Sequence, residues 1–254
     1  MARRRFFVSR VRAGHAELEG EAAEHLRRVL RAERGQRFEI SDNDSVYLAE
    51  IDGLGKGKVT FRVIEPIMAE LPPVRITLLA AIFKFDRFEW IVEKATELGV
   101  ETIVPVEAER SEKALVRAAV KRVDRWRRVT VESSQQARRA RLPEVTEPVA
   151  FRTALGTGGD YRYFLDELRA AAPILPGLPE PARRQRSDTI CLLVGPEGGW
   201  TEGERTEALD ADWQSVSLGS LILRAETAAV AALAVIANAW YAGVGDVRGG
   251  AGNL

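Results

Sequence analysis

Apolar runs, amphipathic spacing and glycine-bearing turns succeed one another along this chain, and their rhythm changes once, at a pair of prolines. Before that point the segments are short. Residues 5–9 predict a strand, and 21–30 predict a helix with Ala22, Leu26, Val29 and Leu30 at helical spacing. Residues 37–41 and 46–52 predict a hairpin about Asp42-Asn43-Asp44-Ser45, with a turn at 53–57 and another strand at 58–65. Short strands at this spacing suggest a small barrel. Leu71-Pro72-Pro73 predicts the domain boundary, because paired prolines continue neither a helix nor a central strand.

Beyond the prolines, strands and helices alternate. The pattern predicts a strand at 74–82, a helix at 87–98 capped by Gly99, and a strand at 102–106. A long helix at 114–139 and a strand at 161–165 follow. Residues 172–188 hold four prolines and predict a mobile loop. Thr189-Ile190-Cys191-Leu192-Leu193-Val194 reads as a fully buried strand, and Thr201 with Glu204 as a capping box that opens a helix. A strand at 213–217 and a helix at 225–241 close the series, and the glycine-rich 246–254 predict a flexible tail. Alternation of this kind predicts a parallel sheet with helices on both faces.

Two glycine loops each follow a strand near the C-terminus. They are Gly195-Pro196-Glu197-Gly198-Gly199-Trp200 and Leu218-Gly219-Ser220-Leu221-Ile222-Leu223-Arg224. In open α/β sheets ligands bind at the carboxyl ends of strands, and glycine admits a ligand close to the backbone. The pair therefore predicts one site built from both loops. Neither ends in Gly-Lys-Ser/Thr, so neither is a phosphate loop. Gly195 is expected to face the ligand, so that a valine there would block binding and leave the fold nearly intact.

Composition narrows the class. The 254 residues, 46% hydrophobic and 29% charged, suit one large or two small globular domains. The unbroken apolar run 228–237 is shorter than the ~20 residues a bilayer needs, and the N-terminus lacks the apolar core of a signal peptide. Cys191 is the only cysteine, which with no export signal predicts a cytoplasmic protein without disulfides. Two histidines and one cysteine do not make a metal site. Lys plus Arg and Asp plus Glu are 37 each, yet 110–141 carry eleven bases against three acids. Such a face suits phosphates, although a solvated helix surface gives the same pattern.

Several pieces together carry a family resemblance. They are Arg5-Phe6-Phe7-Val8; His25 with Val29-Leu30-Arg31 and Gly35; Lys84 with Glu93-Lys94-Ala95-Thr96-Glu97-Leu98-Gly99-Val100; Arg110-Ser111; and Arg125-Trp126. Gln136 with Arg139 and Pro143, the loop Gly195-Pro196-Glu197-Gly198-Gly199, and Leu223-Arg224 with Glu226-Thr227 complete them. In this order and spacing they closely resemble the RsmE family of bacterial methyltransferases, within the SPOUT superfamily. Gln135 departs from the family, which usually has an acid there, and Phe85 stands where a glycine is common.

The resemblance implies an N-terminal PUA-like β-barrel for RNA over 1–71. It also implies a trefoil-knotted SPOUT domain over 72–245, a mostly parallel sheet with helices on both faces. The activity it implies is methylation of N3 of one uridine in 16S ribosomal RNA. S-adenosylmethionine is the methyl donor, and no metal is required. The implied substrate is the assembled or nearly assembled small subunit, and the implied enzyme is a homodimer. A final helix apolar nearly all round agrees with a dimer, since such a helix needs cover on more than one side.

The implied cofactor cradle comprises Leu193, Val194, Gly195, Pro196, Glu197, Gly198, Leu218, Gly219, Leu221, Ile222, Leu223, Arg224 and Thr227. For catalysis, Arg224 would stabilise charge building on the uracil oxygens, while Glu197 or Glu226 would accept a proton or orient Arg224. For RNA, the candidates are Arg4, Arg5, His25, Arg27, Arg28, Arg31, Lys84, Arg110, Arg138, Arg139 and Arg141. Two other readings stand beside this one, a SPOUT ribose 2′-O-methyltransferase and a catalytically silent RNA-binding assembly factor.

Overall fold

The structure, a computed structural model, describes residues 4–168 and 170–243, so the expected tail at 246–254 lies outside the described residues. The chain forms two compact units, one of residues 1–71 with 130–142, the other of 72–129 with 143–254.

The first unit holds β1 (Arg5–Phe7), β2 (Val11–Arg12), β3 (His15–Glu19), α1 (Gly20–Glu24), β4 (Arg37–Ser41), β5 (Val46–Gly55) and β6 (Lys58–Ile67). They make one sheet in the order β1-β4-β5-β6-β3-β2, antiparallel except for the β1–β4 pair. Its inner face buries Phe6, Leu18, Leu26, Ile40, Ile51 and Phe61. The β2–β3 hairpin was not legible as strands. Its turn, Ala13-Gly14, takes left-handed φ at both residues (46° and 76°), as a tight two-residue hairpin turn requires. The helix expected at 21–30 is present as α1 continued by one π-helical turn, His25–Val29.

Residues 130–142 join this unit through polar contacts. Ser41 Oγ donates to Ala140 O at 2.6 Å, and Leu142 N–H donates to Asn43 Oδ1 at 2.6 Å. Arg138 pairs with Glu39, which Arg5 also contacts at 2.9 Å. The boundary expected at 71/72 puts this segment in the second domain, whereas the structure groups it with the first. Loop-to-strand hydrogen bonds of this kind carry no periodicity in the sequence.

The second unit begins with β7 (Arg75–Ala81), α2 (Phe85–Glu97), β8 (Thr102–Glu107), α3 (Lys113–Ala119), the first half of α4 (Val123–Gln136), β9 (Glu144–Val145) and β10 (Val149–Ala150). It continues with α5 (Phe151–Leu155), β11 (Tyr161–Leu165), β12 (Ala172–Pro173), α6 (Ile174–Gly177), β13 (Thr189–Val194), α7 (Glu202–Asp210), β14 (Gln214–Ser217) and α8 (Ala225–Gly243). The sheet runs β10-β8-β7-β13-β11-β14-β12, parallel throughout, with β9 also on β8. Alternation along β13 explains why its run is apolar without a break. Ile190, Leu192 and Val194 face α2, α4 and α8, while Cys191 and Leu193 face the α5 and α7 side.

Local chemistry ends the helices. Gly99 (φ 90°) follows α2, and Val100 N–H reaches back to Ala95 O at 3.0 Å. Arg138 (φ 55°) follows α4 in the same way, with Arg139 N–H on Ser134 O at 3.0 Å, so the helix stops short of the expected 139. Phe85, the departure from the family, fills space against Trp126 (ring centroids 6.1 Å apart) under the Arg122 guanidinium. The region 172–188 is no plain loop. Ile174 and Leu178 are buried, and Arg184 Nη1 donates to Ala239 O at 2.6 Å.

Over 225–242 α8 has a mean hydropathy of 1.3 and is long and apolar enough to cross a membrane. Its packing shows a core helix instead, with Ala229, Ala232, Leu233, Ile236 and Trp240 wholly buried against the sheet and α2. Thr227, Ala234, Asn238 and Tyr241 form an exposed stripe along its other side.

Candidate active site

β13, β11 and β14 lie side by side, and the chain leaving each of them walls one cavity of about 520 Å³. The wall includes Val194, Gly195, Pro196, Glu197 and Gly198 after β13, and Leu218, Gly219, Leu221, Ile222, Leu223 and Arg224 after β14. Most of the expected cradle therefore shares one cavity. Two expected members do not line it: Leu193 points into the core on the α5 and α7 side, and Thr227 sits on the exposed stripe of α8. Arg87, Asp166, Glu167, Trp200 and Ala228 line it without having been read as site residues.

The first loop is braced from several sides. Trp200 is wholly buried between Phe151 and Phe164, and its Nε1 donates to Leu165 O at 2.8 Å. Arg110 Nη1 donates to Gly198 O at 2.8 Å and Trp200 O at 3.1 Å. Arg205 is buried beneath the cavity floor, with Nε 3.1 Å from Asp166 and Nη2 2.7 Å from Glu167. Thr201 and Glu204 make the expected capping box, and the second Glu204 oxygen accepts Glu109 N–H at 2.8 Å. A fixed loop presents its backbone groups to a ligand without an ordering cost at binding.

That bracing corrects the expectation for Gly195. A Cβ there would lie 3.0 Å from the Trp200 indole, so a valine meets the core and not the ligand space. Openness belongs to Gly219 in the second loop. Its φ is +126°, and nothing lies within 4 Å of where its Cβ would be.

The charged residues are also arranged differently from the expectation. Arg87 of α2 pairs with Glu197 in the first loop, and its Nε is 3.8 Å from Glu226 Oε1 at the start of α8. Glu226 is buried, and its other oxygen has no hydrogen-bond partner. Both carboxylates thus face Arg87; neither orients Arg224. The Arg224 guanidinium is exposed at the cavity wall and has no partner among the described residues.

The expected RNA contacts fall into different settings. Arg5 is buried against Glu39, and Arg110 is bound to the loop carbonyls. Arg27 and Arg28 pair with Glu24, Arg138 with Glu39 and Arg141 with Asp44. Arg139 Nε donates to Arg141 O at 3.0 Å, and Arg4 contacts His25. Arg31 (φ 49°) and Lys84, which precedes α2, are exposed.

Comparison with known proteins assigns this architecture. The RNA methyltransferase domain family matches residues 70–237, and the RNA methyltransferase PUA domain family matches 18–64. "Ribosomal RNA small subunit methyltransferase E" of Synechocystis is 33% identical over 216 residues, covering 84% of this chain and 69% of that protein. The protein of the same name from Bacillus subtilis is 29% identical, covering 85% and 87%. Among solved structures, ribosomal RNA small subunit methyltransferase E from Neisseria gonorrhoeae, bound to S-adenosyl methionine, superposes with a TM-score of 0.84 at 30% identity. That match covers 94% of this chain and 98% of the other. A putative methyltransferase from Legionella pneumophila, also with S-adenosyl methionine, gives 0.83 at 25% identity over 97% and 100%. With family models matching both regions of the chain, a 33% identical relative covered over 69% of its length and a solved structure covered over 98%, the chain belongs to the ribosomal RNA small subunit methyltransferase E family.

Proposed function

We propose that the chain transfers a methyl group from S-adenosylmethionine to N3 of one uridine in 16S ribosomal RNA, acting on the assembled or nearly assembled small subunit. The observation that carries this reading is the cavity at the ends of β13, β11 and β14, with one unpaired cation, Arg224, on its wall. The residues fit the cofactor. The cavity's 520 Å³ suits a small-molecule ligand, its walls are mostly apolar, and Gly219 leaves the backbone open to close approach. When bound, the cofactor supplies an electrophilic methyl on a sulfonium.

The chain's own residues would do the rest. Backbone groups of the two loops hold the neutral adenine, and the braced first loop fixes its position. Uracil N3 must lose its proton, leaving charge on the ring oxygens. In this reading Arg224 stabilises that charge, supported by its guanidinium having no carboxylate partner among the described residues. Glu197, on the wall, is the proton acceptor in this reading, and Glu226 behind it holds Arg87. The knot is also part of the proposal. Its support is the strand order, in which the chain passes from β13 to β14 across β11. Digestion of RNA from treated small subunits is the test. N3-methyluridine is expected as the only new nucleoside, and a 2′-O-methylated ribose would return the alternative chemistry.

Cytoplasmic location and a homodimer belong to the same proposal. The exposed stripe of Thr227, Ala234, Asn238 and Tyr241 supports the dimer, because it offers a nearly uncharged helix face to a second copy. Sedimentation at micromolar concentration should give twice the 28.1 kDa chain mass, and Ala234→Glu should give the single chain. A parent protein that sediments as one chain would end the dimer reading.

A further inference from the structure

The β2–β3 hairpin carries a basic groove separate from every residue expected to touch RNA. It is a surface groove of about 670 Å³ lined by Ser9, Arg10, Arg12, His15, Ala16 and Glu17. Arg10, Arg12 and His15 are exposed. Most other arginines of this unit are ion-paired: Arg27 and Arg28 with Glu24, Arg34 with Asp52, Arg37 and Arg62 with Glu50, Arg138 with Glu39. Arg10 and Arg12 have no carboxylate partner among the described residues. The one acid of the groove, Glu17, is taken by Lys58 at 2.7 Å. The groove's open charge is therefore positive.

His15 adds a polarity. Its Nδ1 lies 3.0 Å from Ala13 O, which only accepts, so Nδ1 carries the proton. In the neutral ring of this exposed side chain Nε2 is then an acceptor. Two unpaired guanidinium groups beside one acceptor suit a phosphodiester backbone whose sugars carry a hydroxyl donor.

We infer that this hairpin groove binds the RNA backbone, through phosphates on Arg10 and Arg12 and a ribose 2′-OH on His15. The inference rests on the RNA-methyltransferase reading and adds where the first unit grips its substrate. Charges on an edge strand also deter strand addition, so a purely protective role is the competing outcome.

The test uses the full chain and a fluorescein-labelled RNA hairpin in a salt series, followed by anisotropy, with methylation of small subunits measured in parallel. Arg10→Gln/Arg12→Gln should lower affinity on the order of tenfold and flatten the slope of log affinity against log salt by about 1.5. Arg75→Gln/Arg152→Gln makes the same charge change at ion-paired sites in the other unit and should leave the slope unchanged. His15→Phe should narrow the preference for the RNA hairpin over a DNA hairpin of the same sequence. Thermal melting and S-adenosylmethionine affinity should stay at parent values in all three. A parent-like slope in Arg10→Gln/Arg12→Gln, with subunits still methylated, overturns the groove and leaves the activity standing. No RNA affinity in the parent, with subunits methylated, also overturns the groove, whereas a parent that methylates no subunits overturns the reading on which the groove rests.

Discussion

Replacing Trp200 by alanine is expected to cost about 3–5 kcal/mol of stability and most of the affinity for S-adenosylmethionine. Trp200 is wholly buried, packs on Phe151 at 5.3 Å and Phe164 at 5.8 Å, and closes one wall of the cavity. Its removal empties the core directly beneath Gly195 and takes away the indole donor to the Leu165 carbonyl. A chain of this size loses roughly 2–4 °C of melting temperature per kcal/mol, so calorimetry should show a fall on the order of 10 °C. Trp200→Phe keeps most of the packing and loses the hydrogen bond, an expected cost of about 1–2 kcal/mol. Gly195→Val should resemble Trp200→Ala, because the valine collides with the same indole. If Gly195→Val melts with the parent while losing cofactor, that glycine faces the ligand after all.

Arg224→Ala should separate binding from chemistry. Its guanidinium is exposed at the cavity wall and pairs with nothing described, so folding does not depend on it. Stability should move by less than about 0.5 kcal/mol, as for an ordinary surface change. Methyl transfer to small subunits should fall about 10²–10³-fold in kcat, the loss typical of one preorganised charge-stabilising donor. Affinity for S-adenosylmethionine should hold, and Arg224→Lys should recover part of the rate. Arg87→Ala is the contrast. Its charge is committed to Glu197 and Glu226, so its removal leaves a buried carboxylate without a cation and should show first as lost stability. Equal kcat losses in both variants, with neither destabilised, would mean that Arg224 has no special place in the reaction.

What the sequence made legible follows from how local each signal is. The strand at 189–194 was plain because both of its faces are buried, and the capping box because Thr201 and Glu204 are three residues apart. The β2–β3 hairpin was missed because only Ala16 and Leu18 of β3 point inward, and Ala13-Gly14 is not a strong hairpin signal. Arg87 was missed for another reason. On α2 it reads as solvated helix surface, and its meaning comes from Glu197, 110 residues on. For Gly195 the sequence gives the loop but not the direction, since a sequence shows where a glycine stands but not what its missing side chain would meet, here the Trp200 indole. Ion pairing hid the rest, because Arg5 and Arg10 are alike as letters and differ only in having Glu39 nearby.

The sheet order also has a consequence for how the chain is made. β13 sits between β7 and β11, and its pairing with β7 joins Thr189–Val194 to 75–80. After β7 leaves the ribosome, 107 residues separate its end at Ala81 from the start of β13 at Thr189. At synthesis rates of ~5–20 residues per second that interval lasts on the order of 5–20 s. For that time the inner edge of β7 has no native partner, and β11 emerges before the strand it must flank. Nascent chains halted before Thr189 should therefore be readily digested over the second unit, and chains extended past Ser217 should become resistant in one step.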